Sequence, residues 1–164
     1  MNSYDKAFVT RIAATVVYMS LAKSFNGLNY LLLPFFFTYL NTIKYDISAT
    51  DGPYATKTFA YKARDRLADV LSYMLASTLF PRDIGYMYCV LFRLIGVLLF
   101  GMTRDDKWLI LFPDVAAEYL IYHFIYKGEM SGFPILIPVK MIYERWSVVN
   151  NQPILTQKNN IFSR

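Results

Sequence analysis

The feature that most constrains the fold is a set of long apolar stretches that are almost free of charge. A helix that crosses a bilayer needs about 20 predominantly apolar residues. Residues 24–43 are 20 residues with no charged side chain and with Pro34 inside them, where we expect a kink. Ile84–Thr103 is equally long and carries one charge, Arg93, near its middle. Both stretches therefore predict membrane-spanning helices.

Two further stretches extend this pattern. Residues 108–126 are apolar apart from Asp114, Glu118 and His123, and residues 7–22 are apolar apart from Arg11. Together the four stretches predict an all-α membrane protein with about four transmembrane helices. The N-terminal stretch is the weakest candidate for a membrane span, and the alternative is a helix that lies in the membrane interface. A two-span arrangement that keeps only the last hairpin also remains open.

The composition supports a lipid environment. Hydrophobic residues make up 55% of the chain and charged residues 18%, whereas about a quarter of a soluble domain is charged. The formal net charge of +5 suits nucleic acid or an anionic membrane surface, and the apolar excess favours the bilayer over nucleic acid as partner. One cysteine and one histidine leave no set of Cys or His metal ligands, and no nucleotide-binding or hydrolase motif is present. We therefore expect no enzyme, cofactor, metal or small-molecule substrate.

The most polar region covers residues 44–83. Apolar residues recur at helical spacing in its second half, at Leu67, Val70, Leu71, Met74, Leu75 and Leu79. This pattern predicts one amphipathic interfacial helix that lies on the membrane or against the bundle. Basic residues just before it are predicted to contact lipid headgroups: Lys57, Lys62, Arg64 and Arg66.

The remaining chain, residues 127–164, is predicted to be an extended polar tail. Pro134 and Pro138 interrupt its one apolar stretch, and Trp146 is a candidate interfacial anchor. The organisation is therefore an N-terminal helical hairpin in residues 1–43, the basic loop and amphipathic helix in 44–83, a C-terminal transmembrane hairpin in 84–126, and this tail.

The distribution of basic residues predicts the orientation of these spans. With four spans, twelve Lys and Arg residues fall on the side of the termini and of the 44–83 loop, and three fall on the other side. Cytoplasmic segments carry such an excess of Lys and Arg. We therefore expect an integral, multi-pass protein with both termini and the loop on the cytoplasmic side, and the connector 104–107 on the opposite side.

The charges inside the last two stretches are predicted to meet. Counted from the short connector, Arg93 and Glu118 are equally distant along an antiparallel hairpin, about 19 Å deep. Asp114 shares a helix face with Glu118, four residues away. The predicted intramembrane ion pair thus joins Arg93 to Asp114 and Glu118. Pro113 also predicts a break in the last helix, with a new helix starting at membrane depth.

Three interpretations of these charges stay open. They form a structural ion pair that locks the hairpin, or a path for protons or ions, or they show that the last stretch is a peripheral helix and not a span. His123 lies off the acidic face and is interpreted as a packed or interfacial side chain, and Cys89 as a small packed residue.

One part of the chain resembles a known group of proteins. Residues 92–126, with Arg93 and Gly96, Leu99 and Phe100, Thr103, Phe112-Pro113-Asp114 and Glu118, are similar to a hydrophobic hairpin of small membrane proteins of large double-stranded DNA viruses. The resemblance implies a virion membrane protein beneath a capsid shell, without catalytic activity.

These observations lead to two functional hypotheses. The first is a structural membrane protein that anchors or scaffolds a large assembly and contacts its other protein subunits through the central loop and the tail. A virion inner membrane is the first setting and an organellar membrane complex the second. The alternative is a small proton or ion channel or transport subunit that uses Arg93, Asp114 and Glu118.

Overall fold

The computed structural model describes residues 3–22, 24, 28–49 and 59–150, and all regular structure in them is helical. Lys57 and the end of the predicted tail, residues 151–164, lie outside the described residues. Two 3₁₀ turns, Ser77–Leu79 and Phe133–Ile135, precede two of the helices. The helices are α1 (Ser3–Ala22), α2 (Asn29–Ala49), α3 (Phe59–Ala76), α4 (Ile84–Thr103), α5 (Lys107–Leu111), α6 (Ala116–Ile125) and α7 (Leu136–Asn150).

The helix predicted over Ile84–Thr103 is confirmed at both ends. Asp83 caps α4, because its Oδ1 accepts a hydrogen bond of 3.0 Å from the backbone N–H of Tyr86. Arg104 ends the helix with φ 57°, and its N–H donates to the carbonyl of Phe100. Both ends are thus determined by local capping.

The break predicted in the last apolar stretch is also confirmed. α5 ends at Leu111 and α6 starts at Ala116, with Pro113 between them. Proline has no N–H to donate to Leu109, and it disfavours helical geometry at Phe112, whose ψ is 68°. Within the described part of the chain, two helical stretches are long and apolar enough to cross a membrane, Ile84–Thr103 and Lys107–Ile125, and Asn29–Leu40 is a shorter apolar helix.

α3 packs against α1 on one side and α4 on the other, rather than presenting a single apolar face to the bundle. Of the apolar residues whose spacing predicted this helix, Val70 is buried, whereas Leu67 and Met74 are 40% and 45% exposed. Asp69 and Ser72 are buried as well, because they find partners on α1. The predicted helix is thus present, and its contact with a membrane surface stays a prediction.

Residue pairs along the helices give their directions. Arg64 pairs with Asp5 and Ser72 with Thr15, so α3 runs parallel to α1. The ring of Phe59 packs 5.2 Å from that of Phe100, while the hydroxyl of Tyr86, near the start of α4, donates to the carbonyl of Tyr73. α3 therefore runs antiparallel to α4 and covers most of its length.

The two ends of the bundle follow from these directions. α2 starts beside the end of α1, where Asn29 donates to the carbonyl of Ala22, and beside the end of α6, where Tyr30 stacks on His123 at 4.1 Å. α1 to α4 thus alternate in direction, and the broken α5–α6 returns antiparallel to α4. We call the end that holds the connector 104–107 the connector end, and the end that holds Asp83 the far end.

The C-terminal segment corrects the prediction of an extended tail. Residues 133–150 form a 3₁₀ turn and α7. Pro134 lies in the turn, and Pro138 is the third residue of α7. Proline is tolerated there because the first four backbone N–H groups of a helix have no acceptor within the helix. Phe133 packs on Tyr119, and Lys140 contacts Glu118, so α7 runs antiparallel to α6 towards the connector end.

Contacts between helices also correct the prediction that the 44–83 loop and the connector 104–107 lie on opposite sides of the membrane. Lys62, in the loop assigned to one side, forms an ion pair with Asp106 in the connector assigned to the other side. The start of α1, the start of α3 and the connector therefore share one end of the bundle. The prediction failed because α3 extends from one end of the bundle to the other, whereas the sequence was read with this helix on a single side.

Candidate functional site

The first candidate site is the break between α5 and α6, which Arg93 fills. Arg93 is fully buried, and its Nη1 donates hydrogen bonds of 3.1 Å to the carbonyl of Leu109 and 2.7 Å to that of Phe112. The carbonyl of Leu109 would have bonded to residue 113 in a continuous helix, and Pro113 removes that donor. A guanidinium thus takes the place of the missing N–H.

Gly96 makes this contact possible. It lies one helical turn after Arg93 on the same face of α4. A Cβ at this position would overlap the Cβ of Phe112 and lie 3.1 Å from the carbonyl oxygen of Trp108. The glycine therefore lets the broken helix approach α4 closely enough for Arg93 to reach its carbonyls.

Asp114 lies directly after the break and does not bond to Arg93. Its Oδ2 accepts a hydrogen bond of 2.7 Å from the hydroxyl of Tyr73, and its Oδ1 lies 3.4 Å from the N–H of Ala116, at the start of α6. Negative charge is favourable at a helix N-terminus, and Arg93 lies near enough to act electrostatically on the carboxylate. Asp114 therefore joins α3 to the start of α6.

Glu118 has another partner. Its Oε1 accepts a hydrogen bond from Nζ of Lys140 on α7. Among the described residues no ion pair joins Arg93 to Asp114 or to Glu118, so the predicted three-residue ion pair is wrong. The prediction counted residues from the connector to Arg93 and Glu118 as if the last helix were continuous. It failed because the irregular residues 112–115 turn Glu118 towards α7. Lys140 was missed because its segment was predicted to be extended.

A second buried polar cluster joins α1 to α3. Arg11 is 2% exposed, and its guanidinium forms ion pairs with Asp65, at 2.8 Å, and with Asp69. One turn further, the hydroxyl of Thr15 donates to that of Ser72 at 3.1 Å. The sequence carried a signal for this cluster, namely one arginine in an apolar stretch and two carboxylates four residues apart in α3.

A third cluster lies at the far end, around Asp83. The hydroxyls of Tyr30 and Tyr119 donate to its carboxylate at 2.9 Å and 2.5 Å, and Nε2 of His123 lies 3.9 Å from it. The cluster connects α2, the start of α4 and α6. His123 is packed, as predicted, and stacks on Tyr30. Sequence reasoning missed the cluster because its members are far apart along the chain.

Three of the four basic residues predicted to contact lipid headgroups have partners inside the chain. Lys62 pairs with Asp106, Arg64 with Asp5 at 3.4 Å, and Arg66 with Asp69 at 3.7 Å. Between 32% and 42% of each of these three basic side chains is exposed, so contact with lipid phosphate stays a prediction.

The three clusters connect helices. Among the described residues no group of three or more His, Cys, Asp or Glu side chains is placed to hold a metal ion. Cys89 is buried and unpaired by disulfide. Comparison with protein families, with curated proteins and with solved structures finds no match for this chain.

Proposed function

We propose that this protein is a structural integral membrane protein, a helical bundle that anchors a larger assembly in a bilayer. The proposal assigns no reaction and no transported substrate to the chain. Its polar clusters hold the helices together, and its outward surface faces lipid.

The observation that carries the proposal is the outward face of α4. Large apolar side chains are exposed along the whole helix: Ile84, Met87, Tyr88, Leu91, Ile95, Leu98 and Met102. The helix has 20 residues, which corresponds to about 30 Å, the thickness of the hydrocarbon core of a bilayer. Its one charge, Arg93, points inward and is hydrogen-bonded. A soluble protein rarely exposes a continuous apolar surface of this length.

The interior supports the same proposal. Arg11 and Arg93 are both buried, and each has hydrogen-bond partners on a neighbouring helix. Intramembrane charges face the interior of a bundle and pair there, because an unpaired charge in hydrocarbon is costly. The chain thus buries the two arginines of its apolar helices α1 and α4 while it exposes large apolar side chains on α4, as a protein in lipid does.

The topology we propose has six crossings: α1, α2, α3, α4, the broken α5–α6 and α7. Both termini and the connector 104–107 then lie at one end. Basic residues favour that end, since it holds Lys6, Lys62, Arg64, Arg104 and Lys107, while the far end holds Arg82 and Lys127. The positive-inside rule places the connector end on the cytoplasmic side.

The assembly we propose follows from the resemblance of residues 92–126 to viral membrane hairpins. A virion inner membrane is the first setting, with the connector end turned towards capsid subunits, and an organellar membrane complex is the second. Crosslinking on intact membranes tests this step. Recovery of defined protein neighbours through residues of the connector end supports anchoring, and recovery of no neighbour there contradicts it.

Alkaline carbonate extraction tests membrane integration, and labelling of single cysteines tests topology. The native Cys89 is first replaced by Ala, and Arg104→Cys or Arg82→Cys is then introduced into that background. Six crossings predict that a membrane-impermeant maleimide reaches Arg104→Cys from the same side as an N-terminal tag and Arg82→Cys from the opposite side. Release of the protein by carbonate contradicts membrane integration, and labelling of Arg104→Cys from the opposite side contradicts the six-crossing topology.

Proton or ion conduction is the second candidate, and the broken helix beside Arg93 and Asp114 is the observation that favours it. Wild-type protein in liposomes distinguishes the two candidates. The structural proposal predicts no proton flux above that of empty liposomes. Conduction predicts flux that the substitution Glu118→Gln or Asp114→Asn removes while the protein still folds.

A further inference from the structure

A groove separates α6 from α7. Its volume is about 320 Å³, and its lining residues are Val115, Glu118, Leu136, Val139, Lys140 and Tyr143. Cavities that bind small molecules start at about 300 Å³ and are mostly apolar with a few polar groups. This groove matches that description, since three aliphatic side chains and one tyrosine surround a single ion pair.

The ion pair in the groove keeps free hydrogen-bonding capacity. The hydrogen bond of Lys140 goes to Oε1 of Glu118, and among the described residues Oε2 and the remaining ammonium hydrogens have no hydrogen-bond partner. Both side chains are partly exposed, 35% for Glu118 and 24% for Lys140. The groove therefore offers one acceptor and donors side by side within an apolar wall.

We propose that this groove binds an uncharged amphiphile with an apolar body and one hydroxyl group. The hydroxyl donates to Glu118 and accepts from Lys140, so that both free positions are used. An anionic head would compete with Glu118 for the single ammonium and a cationic head with Lys140 for the single carboxylate, and each would bring a net charge into the apolar groove. A neutral hydroxyl adds no charge and satisfies both groups. A sterol and a long-chain alcohol share this chemistry.

The inference goes beyond the proposed function, because an anchor needs no ligand. It is tested on the full-length protein in detergent, where no membrane is required. The probes are a diazirine-bearing hexadecanol, a diazirine-bearing sterol, and the carboxylic acid and the amine that match the hexadecanol. Mass spectrometry locates the label after irradiation.

We expect saturable labelling of α6 and α7 by the hexadecanol or by the sterol. The probe that labels more strongly identifies whether the groove prefers a long-chain alcohol or a sterol. The acid and the amine label about tenfold less, because each brings a net charge into the apolar groove. Labelling by neither hydroxyl probe, or equal labelling by the charged probes, overturns the proposal.

Two pairs of variants sharpen this test. Val139→Trp fills the groove and abolishes labelling, whereas Ile142→Trp, at a 70% exposed position on the same helix outside the lining, leaves it unchanged. Glu118→Gln shifts the preference towards the acid, and Lys140→Gln shifts it towards the amine. Unchanged preferences in both charge variants contradict the proposal. Carbonate extraction of the same variants reports on anchoring independently.

Discussion

The two buried arginines lie in regions that neutralise them differently. In the α1–α3 pair, Arg11 meets the carboxylates of Asp65 and Asp69, and three formal charges are buried together. In the α4–α6 hairpin, Arg93 bonds to the carbonyls of Leu109 and Phe112, and Asp114 acts on it electrostatically without an ion pair among the described residues. A broken helix can thus supply the hydrogen-bond acceptors that a carboxylate supplies elsewhere, because its free carbonyls are strong acceptors in a non-aqueous interior.

This difference predicts that removing each arginine lowers the free energy of unfolding by a different amount. Arg11→Met removes the guanidinium that pairs with the buried carboxylates of Asp65 and Asp69, and breaking such a buried pair destabilises a protein by about 3–5 kcal/mol. Unfolding in mixed detergent micelles measures the loss. The triple variant with Asp65→Asn and Asp69→Asn recovers part of it, because no uncompensated charge remains. A loss of less than about 1 kcal/mol in the single variant contradicts the role of this cluster.

Arg93→Met is expected to cost less, about 2 kcal/mol, because it leaves two neutral carbonyls and not a charge without a partner. The same unfolding assay measures it. Cysteine crosslinking between α4 and α5 also reports whether the broken helix moves away from α4. A loss of unfolding free energy above that of Arg11→Met contradicts the role of the two carbonyls as the main partners of Arg93.

Glycine substitutions test the close approach on which Arg93 depends. Gly96→Ala forces a methyl group against Phe112 and the carbonyl of Trp108, and overpacking costs about 1–3 kcal/mol. The matched control is Gly101→Ala on the same helix, where no atom lies within 4 Å. That change stabilises the helix by up to about 1 kcal/mol. Equal effects of the two substitutions argue against a tight contact at Gly96.

The smallest expected effect is on the pKa of Asp105, in the connector 104–107. Hydrogen bonds from the side chain and the backbone N–H of Lys107 lower the pKa of Asp105 below its usual 3.8. A lowered pKa in the folded state means that this interaction stabilises the protein above the unfolded pKa and is lost as the pH falls through the folded one. Titration of the carboxyl by NMR measures this, and Lys107→Gln moves the pKa upward. An unchanged pKa in that variant contradicts the contact.

The hairpin was largely predictable from the sequence, and the α1–α3 pair was not. The bounds of α4 follow from Asp83 and the end of an apolar run, and the break follows from Pro113. Both are local effects that act within a few residues. The partners of Arg11 lie more than 50 residues away along the chain, and the helical pattern of α3 does not show which residue its carboxylates meet.

The sequence by itself determined that the chain is mostly helical, where α4 starts and ends, and that the last apolar stretch breaks at a proline. Those properties depend on capping, proline chemistry and hydrophobic periodicity, which neighbouring residues determine. Only the tertiary structure decided the partner of each charge. Arg93 bonds to carbonyls, Glu118 to Lys140 and Asp114 to Tyr73. The physical reason is that a helix offers many faces, and the three-dimensional packing selects which side chains meet.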